Sequence, residues 1–111
     1  MPILVSEIIR EKILIRYEKE IPYSTEVMVE EYLEADNLNR IRAVIFTERE
    51  SQKRIIIGHG GEQIKKIGIE ARKDIEEFTS KKCFLELFVK VKKDWRNSER
   101  DLQNFGYEQK K

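Results

Sequence analysis

A glycine-rich bend followed by an amphipathic helix constrains this chain more than any other feature of its sequence. Glycines occupy positions 58, 60 and 61, directly before a segment in which apolar side chains recur with helical spacing. The apolar positions of that segment are Ile64, Ile67, Ala71, Ile75 and Phe78. Spacings of three and four place them on one side of a helix, so we predict a helix over about residues 61–78. The bend therefore meets a helix N-terminus, where backbone N–H groups can face an anion.

Basic residues surround the bend, although the whole chain carries a net charge of only +1. Residues 52–73 contain six basic and two acidic side chains, which sum to +4, whereas residues 1–31 contain four basic and seven acidic ones, which sum to −3. The cations nearest the bend are Lys53, Arg54, Lys65 and Lys66. Because a local excess of charge attracts a polyanion, this pattern favours contact with a phosphate backbone. The alternative is a simple tight turn between two helices, which needs fewer glycines.

Apolar periodicity divides the first half of the chain into a helix and two strands. Helix formers with apolar residues near one side predict a helix over residues 3–17, which Pro22 prevents from continuing. Strand patterns over residues 25–33 and 40–49, joined by a polar turn, predict a hairpin.

Three further elements follow. We expect Ser51 to cap a short helix over residues 52–57, although the three isoleucines at its end favour a strand by propensity alone. Residues 84–92 alternate between two faces and predict a strand. A sequence like a capping box predicts a short C-terminal helix, with Trp95 and Phe105 as anchors. This order of elements indicates an α+β domain with helices on one face of a small sheet.

The sequence contains no recognisable catalytic or metal-binding constellation. His59 is the only histidine and Cys83 the only cysteine, whereas a zinc site needs three or four converging ligands. The nucleoside-triphosphate loop motif is absent, and Gln63 replaces the third glycine of the dinucleotide fingerprint. We therefore expect a binding module without a cofactor, not an enzyme. Cys83 is expected to be a buried apolar residue, and Gly68 to allow close approach of a neighbouring element.

A Gly-x-x-G loop that clamps a nucleotide backbone is typical of the KH domain, an RNA-binding module. Longer runs of this sequence resemble, more specifically, the C-terminal KH domain of the Era family of bacterial ribosome-assembly GTPases. The runs that carry the resemblance are 8–12, 20–24, 51–58, 64–75 and 85–92, with Trp95, Glu99, Arg100 and 105–107. The string from Ile64 to Asp74 is the most specific part, and the likeness covers nearly the whole chain.

The resemblance implies a single type II KH domain over residues 1–111, with a three-stranded mixed sheet, helices on one face and a Gly-x-x-G loop between two helices. It also implies that the loop clamps RNA backbone, that two isoleucines form the apolar groove, and that nearby cations contact phosphates. The residues assigned to RNA binding on this basis are Lys53, Arg54, Ile57, Gly58, His59, Gly60, Gly61, Ile64 and Lys65. No catalytic or metal-binding residue is assigned.

The implied partner is single-stranded RNA at the 3′ end region of 16S ribosomal RNA, in small ribosomal subunit assembly, and no DNA is expected. The family's N-terminal GTPase domain is not encoded here, so the chain is expected to be a C-terminal fragment, with a natural stand-alone relative as the alternative. In either case we expect a cytoplasmic protein. The full-length protein would also associate peripherally with the inner membrane. No apolar run in this chain approaches the ~20 residues of a membrane span.

One departure and one alternative bear on this interpretation. Many family loops carry a lysine or arginine at an inner position, where this chain has His59 and Gly60. The grip on phosphate would then depend on backbone N–H groups and the helix dipole, with His59 adding charge only when protonated. The alternative function is a protein-interaction module whose acidic first helix docks a GTPase domain or a ribosomal protein.

Overall fold

The computed structural model describes residues 2–18 and 20–92, and the predicted C-terminal helix lies outside them. Within these ranges, the elements are α1 (Pro2–Arg16), α2 (Glu20–Tyr23), β1 (Thr25–Glu34), β2 (Leu38–Thr47), α3 (Glu50–Ile57), α4 (Glu62–Thr79) and β3 (Lys82–Val91). A 3-10 turn, His59–Gly61, joins α3 to α4. No helix in the described ranges is long and apolar enough to cross a bilayer.

The strands form one mixed sheet in the order β1-β2-β3. β1 and β2 pair antiparallel, as the predicted hairpin, with a register shift between Val29 and Glu31. β2 and β3 pair in parallel, with Ile41 opposite Leu85. Among the described strands β3 has a partner on one side only, so its outer edge carries unpaired backbone groups. The predicted fold class, a mixed three-stranded sheet with helices, is confirmed.

One face of the sheet packs against α1, α3 and α4 and forms the core. The side chains at its centre are fully buried: Ile9, Ile13, Ile41, Ala43, Ile45, Ile56, Ile67, Ala71 and Ile75. The predicted alternation on β2 and the predicted stripe on α4 account for most of them. Phe78 was predicted on the stripe but is 64% exposed. It lies in the last turn of α4, where it lines a surface cavity with Ile8 and Glu11 instead of entering the core.

Cys83 occupies the core, as predicted, with 5% of its surface exposed. Burial, followed by the nearby Glu76 carboxylate, raises the pKa of its thiol to about 11. The thiol is therefore protonated at neutral pH and acts as a small apolar side chain.

The start of α3 differs from the prediction. The helix begins at Glu50, so Ser51 lies inside the first turn and does not cap it. Instead, the Oε1 atom of Gln52 accepts hydrogen bonds from the backbone N–H groups of Glu48 (3.0 Å) and Arg49 (2.9 Å). A long side chain at the third helical position can reach back over the helix start, and here it replaces the short capping side chain.

Contacts with α1 and with Tyr17, the residue after it, hold α3 and α4 side by side. The Nζ atom of Lys12 lies 2.6 Å from Oδ2 of Asp74 on α4, and this hydrogen bond raises the pKa of Lys12. The hydroxyl of Tyr17 donates to the carbonyl oxygen of Ile56 on α3, at 2.8 Å. Because Ile56 is fully buried, tertiary packing overrides the strand propensity of the three isoleucines, and their predicted helix is confirmed.

Candidate nucleic-acid interface

The bend between α3 and α4 has positive φ at its three glycines: 80° at Gly58, 63° at Gly60 and 80° at Gly61. Position 58 has no space for a side chain, because a Cβ there would lie 2.5 Å from Cγ of Gln63 and 2.9 Å from its backbone N. Nothing lies within 4 Å of a Cβ built at position 60 or 61. At those two positions glycine is favoured by backbone conformation alone.

The bend is open to solvent and presents backbone donors. His59 and Gly60 are exposed. The backbone N of Gly58 donates to the carbonyl of Arg54 (2.8 Å), and that of Gly61 donates to the carbonyl of Gly58 (3.2 Å). In the part of the chain that the structure describes, the N–H groups of His59 and Gly60 donate to no backbone acceptor. They lie at the N-terminus of α4, a helix of 18 residues whose dipole adds positive potential, so the bend can receive an anion.

The cations of α3 and α4 carry charge that no neighbour neutralises. Within residues 2–18 and 20–92, none of them lies within ion-pair distance of a carboxylate: Lys53, Arg54, Lys65, Lys66, Arg72 and Lys73. The cations of α1 differ, because Lys12 and Arg16 are paired with carboxylates of α4 at 2.6 and 2.7 Å. The charges beside the bend are therefore available to a polyanion, whereas Lys12 and Arg16 hold α1 against α4.

A groove of about 300 Å³ lies between α4 and β3, next to the bend. Its walls are formed by Ile64, Lys65, Gly68, Ile69, Arg72, Leu85 and Leu87. Apolar side chains thus form the walls, with two cations among them. Two of the predicted RNA-binding residues, Ile64 and Lys65, line this groove, whereas Ile57 packs against the core at the end of α3 and does not.

Gly68 lies less close to its neighbour, Leu87, than predicted. A Cβ at this position would lie 3.7 Å from Cδ1 of Leu87, which is an ordinary van der Waals contact. An alanine would therefore fit, and the missing side chain widens the groove instead of permitting tight packing.

Sequence reasoning assigned only two of the seven residues that line this groove to RNA binding. Leu85 and Leu87 were predicted to lie on a strand, but that strand lies beside α4 only because of the parallel β2–β3 pairing. Lys65, Gly68, Ile69 and Arg72 line the groove from α4, at spacings i, i+3, i+4 and i+7. This spacing defines a second stripe beside the apolar one. It could have been used to predict from the sequence that Arg72 shares a helix face with Lys65.

A family model described as KH domain matches residues 20–96. The chain belongs to the KH domain family. The KH resemblance inferred from the sequence is thereby confirmed, and the bend described above lies within the matched residues.

Relatives described as GTPase Era match almost the whole chain. The identity is 55% with the protein of Syntrophus aciditrophicus, 53% with that of Geotalea uraniireducens and 49% with that of Xylella fastidiosa, over 94–95% of this chain. This KH domain spans only 35–36% of the length of those relatives, in their C-terminal part.

Solved structures of Era have the same fold. A variant of Era from Aquifex aeolicus bound to GDP.AlF4- matches with a TM-score of 0.87 and 38% identity, over 96% of this chain and 36% of that one. A structure of Era in complex with MgGDPNP and nucleotides 1506-1542 of 16S ribosomal RNA matches with a TM-score of 0.88 at the same identity and coverage. The KH domain described here therefore resembles the C-terminal KH domain of Era.

Proposed function

We propose that this KH domain binds single-stranded RNA, at the 3′ end region of 16S ribosomal RNA, as the RNA-binding part of an Era-like GTPase in small ribosomal subunit assembly. One observation carries the proposal: a solvent-open glycine bend lies at one end of an apolar groove. Among the described residues, two N–H groups of the bend donate to no backbone acceptor and the nearby cations have no carboxylate within ion-pair distance. The similar Era that was solved with nucleotides 1506-1542 of 16S ribosomal RNA supports the choice of RNA.

In this mechanism the bend binds the sugar-phosphate backbone of the RNA. The N–H groups of His59 and Gly60 donate to phosphate oxygens, and the side-chain-free surface of the bend lets the backbone approach. Phosphates near the bend are attracted by the positive charges of three side chains, Lys53, Arg54 and Lys65. We also include Gly58 and Gly61 in this clamp, because they set the conformation of the bend.

The groove binds the bases of the RNA. Ile64 and Leu87 offer apolar surfaces against which base faces pack, while Ile57 supports the bend from beneath. Base edges lie near the outer edge of β3, where unpaired backbone groups can donate and accept hydrogen bonds. Arg72 lies 11 residues after Gly61, roughly 16 Å along the helix axis, which suits a site for about four nucleotides.

The remaining assignments are part of the same proposal. Residues 1–111 form one KH domain, which binds RNA without catalysing a reaction and without a cofactor or metal. Its partners are the small ribosomal subunit and the GTPase domain of the same protein, in the cytoplasm, with peripheral association of the full-length protein with the inner membrane. DNA is not a ligand.

A titration of ¹⁵N-labelled protein with a single-stranded RNA of five pyrimidine and adenine nucleotides tests the proposal. We expect chemical-shift changes at His59, Gly60, Gly68 and Leu87, with none on α1, and no such changes with a DNA of the same sequence. The affinity should fall with salt, with a slope near −0.7 per neutralised phosphate. Shift changes confined to α1, or an affinity that salt does not alter, would contradict the proposal.

The alternative, a protein-docking module, is favoured by a different surface. Leu14 and Tyr23 are 63% and 75% exposed, and with Arg10, Glu20 and Pro22 they line a cavity of about 660 Å³ beside α1. The helix itself is not acidic as predicted, because its three basic and two acidic side chains sum to +1. A GTPase domain or a ribosomal protein could dock there without blocking the groove. Capture of such a protein that survives nuclease treatment and is abolished by Leu14→Asp would support this second function, and loss of the complex on nuclease treatment would refute it.

A further inference from the structure

The sheet face opposite the helices carries exposed aromatic rings. Phe84 and Phe88 of β3 are 46% and 44% exposed, and they alternate with Leu85 and Leu87, which face α4. The guanidinium carbon of Arg40 lies 5.2 Å from the ring centre of Phe84. Arg42 lies 6.0 Å from the ring centre of Phe88. We call this surface the open face, and define it by Arg40, Arg42, Lys82, Phe84, Glu86, Phe88 and Lys90.

Positive charge dominates the open face. Its four cations and single carboxylate sum to +3. The carboxylate, Glu86, is paired with Arg42 at 3.4 Å. In the described ranges, Arg40, Lys82 and Lys90 have no carboxylate within ion-pair distance. On this side of the sheet β1 adds Glu31, which lies opposite Arg42 with its Oε1 atom 4.0 Å from that guanidinium. Both nearby carboxylates thus belong to Arg42, and the charge of Arg40 and of the two β3 lysines is left for a polyanion.

The open face is continuous with the proposed RNA groove. β3 contributes Leu85 and Leu87 to the groove and Phe84 and Phe88 to the open face, and only its outer edge separates the two. A KH groove clamps about four nucleotides. The RNA in the similar Era structure is much longer, since nucleotides 1506-1542 number 37 (1542 − 1506 + 1). An RNA of that length extends beyond a four-nucleotide groove, so a neighbouring surface is within its reach.

We propose that the open face is a second binding site for single-stranded RNA, which continues over the β3 edge from the groove. Bases stack on the rings of Phe84 and Phe88 and on the guanidinium planes of Arg40 and Arg42, and Lys82 and Lys90 contact phosphates. Aromatic rings and arginine planes on a sheet are a known stacking surface for unpaired bases, because every base has a π face. This inference rests on the proposed function, since the groove must bind RNA first.

The test compares two RNAs on the full chain, one of five nucleotides that fits the groove alone and one of twelve with the same core. Wild-type protein is expected to bind the longer RNA at least tenfold more tightly. Phe84→Ala with Phe88→Ala should remove that gain and leave the short RNA unaffected. The matched control is Leu33→Ala, an equally exposed residue (51%) on β1 of the same sheet side, which should alter neither affinity.

A second variant, Arg40→Gln, keeps the test decisive if the double variant unfolds. It should lower the affinity for the longer RNA by about fivefold and leave the affinity for the short RNA unchanged. Two results overturn the inference. One is equal affinity of the wild-type protein for both RNAs, and the other is variants that still bind the longer RNA as tightly as the wild-type protein does. Shielding of the Phe84 and Phe88 ring protons from a soluble paramagnetic probe, in RNA-free full chain, would also overturn it, because the face would already be covered. Failure of the short RNA to bind would instead refute the proposed function.

Discussion

Two aspartates in the bend, His59→Asp with Gly60→Asp, should weaken RNA binding about a hundredfold while the protein stays folded. Nothing lies within 4 Å of a Cβ at position 60, and His59 is exposed, so neither side chain meets a neighbour. Gly60 has φ 63° and ψ 20°, in the left-handed region that aspartate adopts more readily than most residues. The expected loss of unfolding free energy is therefore only about 1 kcal/mol.

The effect on binding follows from charge. A carboxylate roughly 6 Å from a phosphate in an exposed site is repelled by about 0.7 kcal/mol, taking the dielectric constant of water. Two carboxylates facing two phosphates make four such pairs, which sum to about 3 kcal/mol, or about a hundredfold in the dissociation constant.

The assay is fluorescence anisotropy of a labelled five-nucleotide RNA, with thermal unfolding to verify the fold. The matched control, His59→Asn with Gly60→Asn, has the same size and the same backbone preference but no charge, and it should bind within about threefold of wild type. Equal affinities of the aspartate and asparagine pairs would refute the phosphate clamp. Added salt should narrow the difference between them, because exposed charges are screened.

Three other substitutions or measurements test the bend, the groove and the core. Gly58→Ala should lower the unfolding free energy by about 3 kcal/mol, because its Cβ would overlap Gln63, whereas Gly60→Ala should cost only about 1 kcal/mol; equal costs in urea denaturation would contradict the overlap. Gly68→Ala should raise the unfolding free energy by about 1 kcal/mol, yet weaken short-RNA binding severalfold by narrowing the groove. An unchanged affinity would show that bases do not reach that part of the groove. At pH 8 a thiol reagent should label Cys83 far more slowly in native than in urea-unfolded protein, because its thiol is buried and has a pKa of about 11. Comparable rates would mean that this strand end opens readily.

Local features of this protein could be predicted where a few neighbouring residues decide the conformation. The glycine bend is one case, since positive φ at positions 58, 60 and 61 is a property of the residue type itself. The helix after the bend and the alternation of β3 follow from apolar spacing. The predicted end of the stripe at Phe78 was wrong, because spacing describes a helix face and does not show where the neighbouring elements stop.

Contacts between distant residues decided the rest. Gln52 caps α3 in place of Ser51 because its long side chain turns back to the backbone N–H groups at the helix start. Ile57 was predicted in the groove but packs at the core, and the sequence could not distinguish the two sides of α3.

The sequence by itself determined a side-chain-poor bend, the helix behind it and a small α+β domain, because backbone preference and apolar periodicity act over a few residues. Only the tertiary structure decided that β3 lies parallel to β2 and beside α4, which builds the groove on one side of that strand and the open face on the other. It also decided which cations are left unpaired. These properties depend on the positions of residues far apart in the chain, and no local pattern encodes a distance between them.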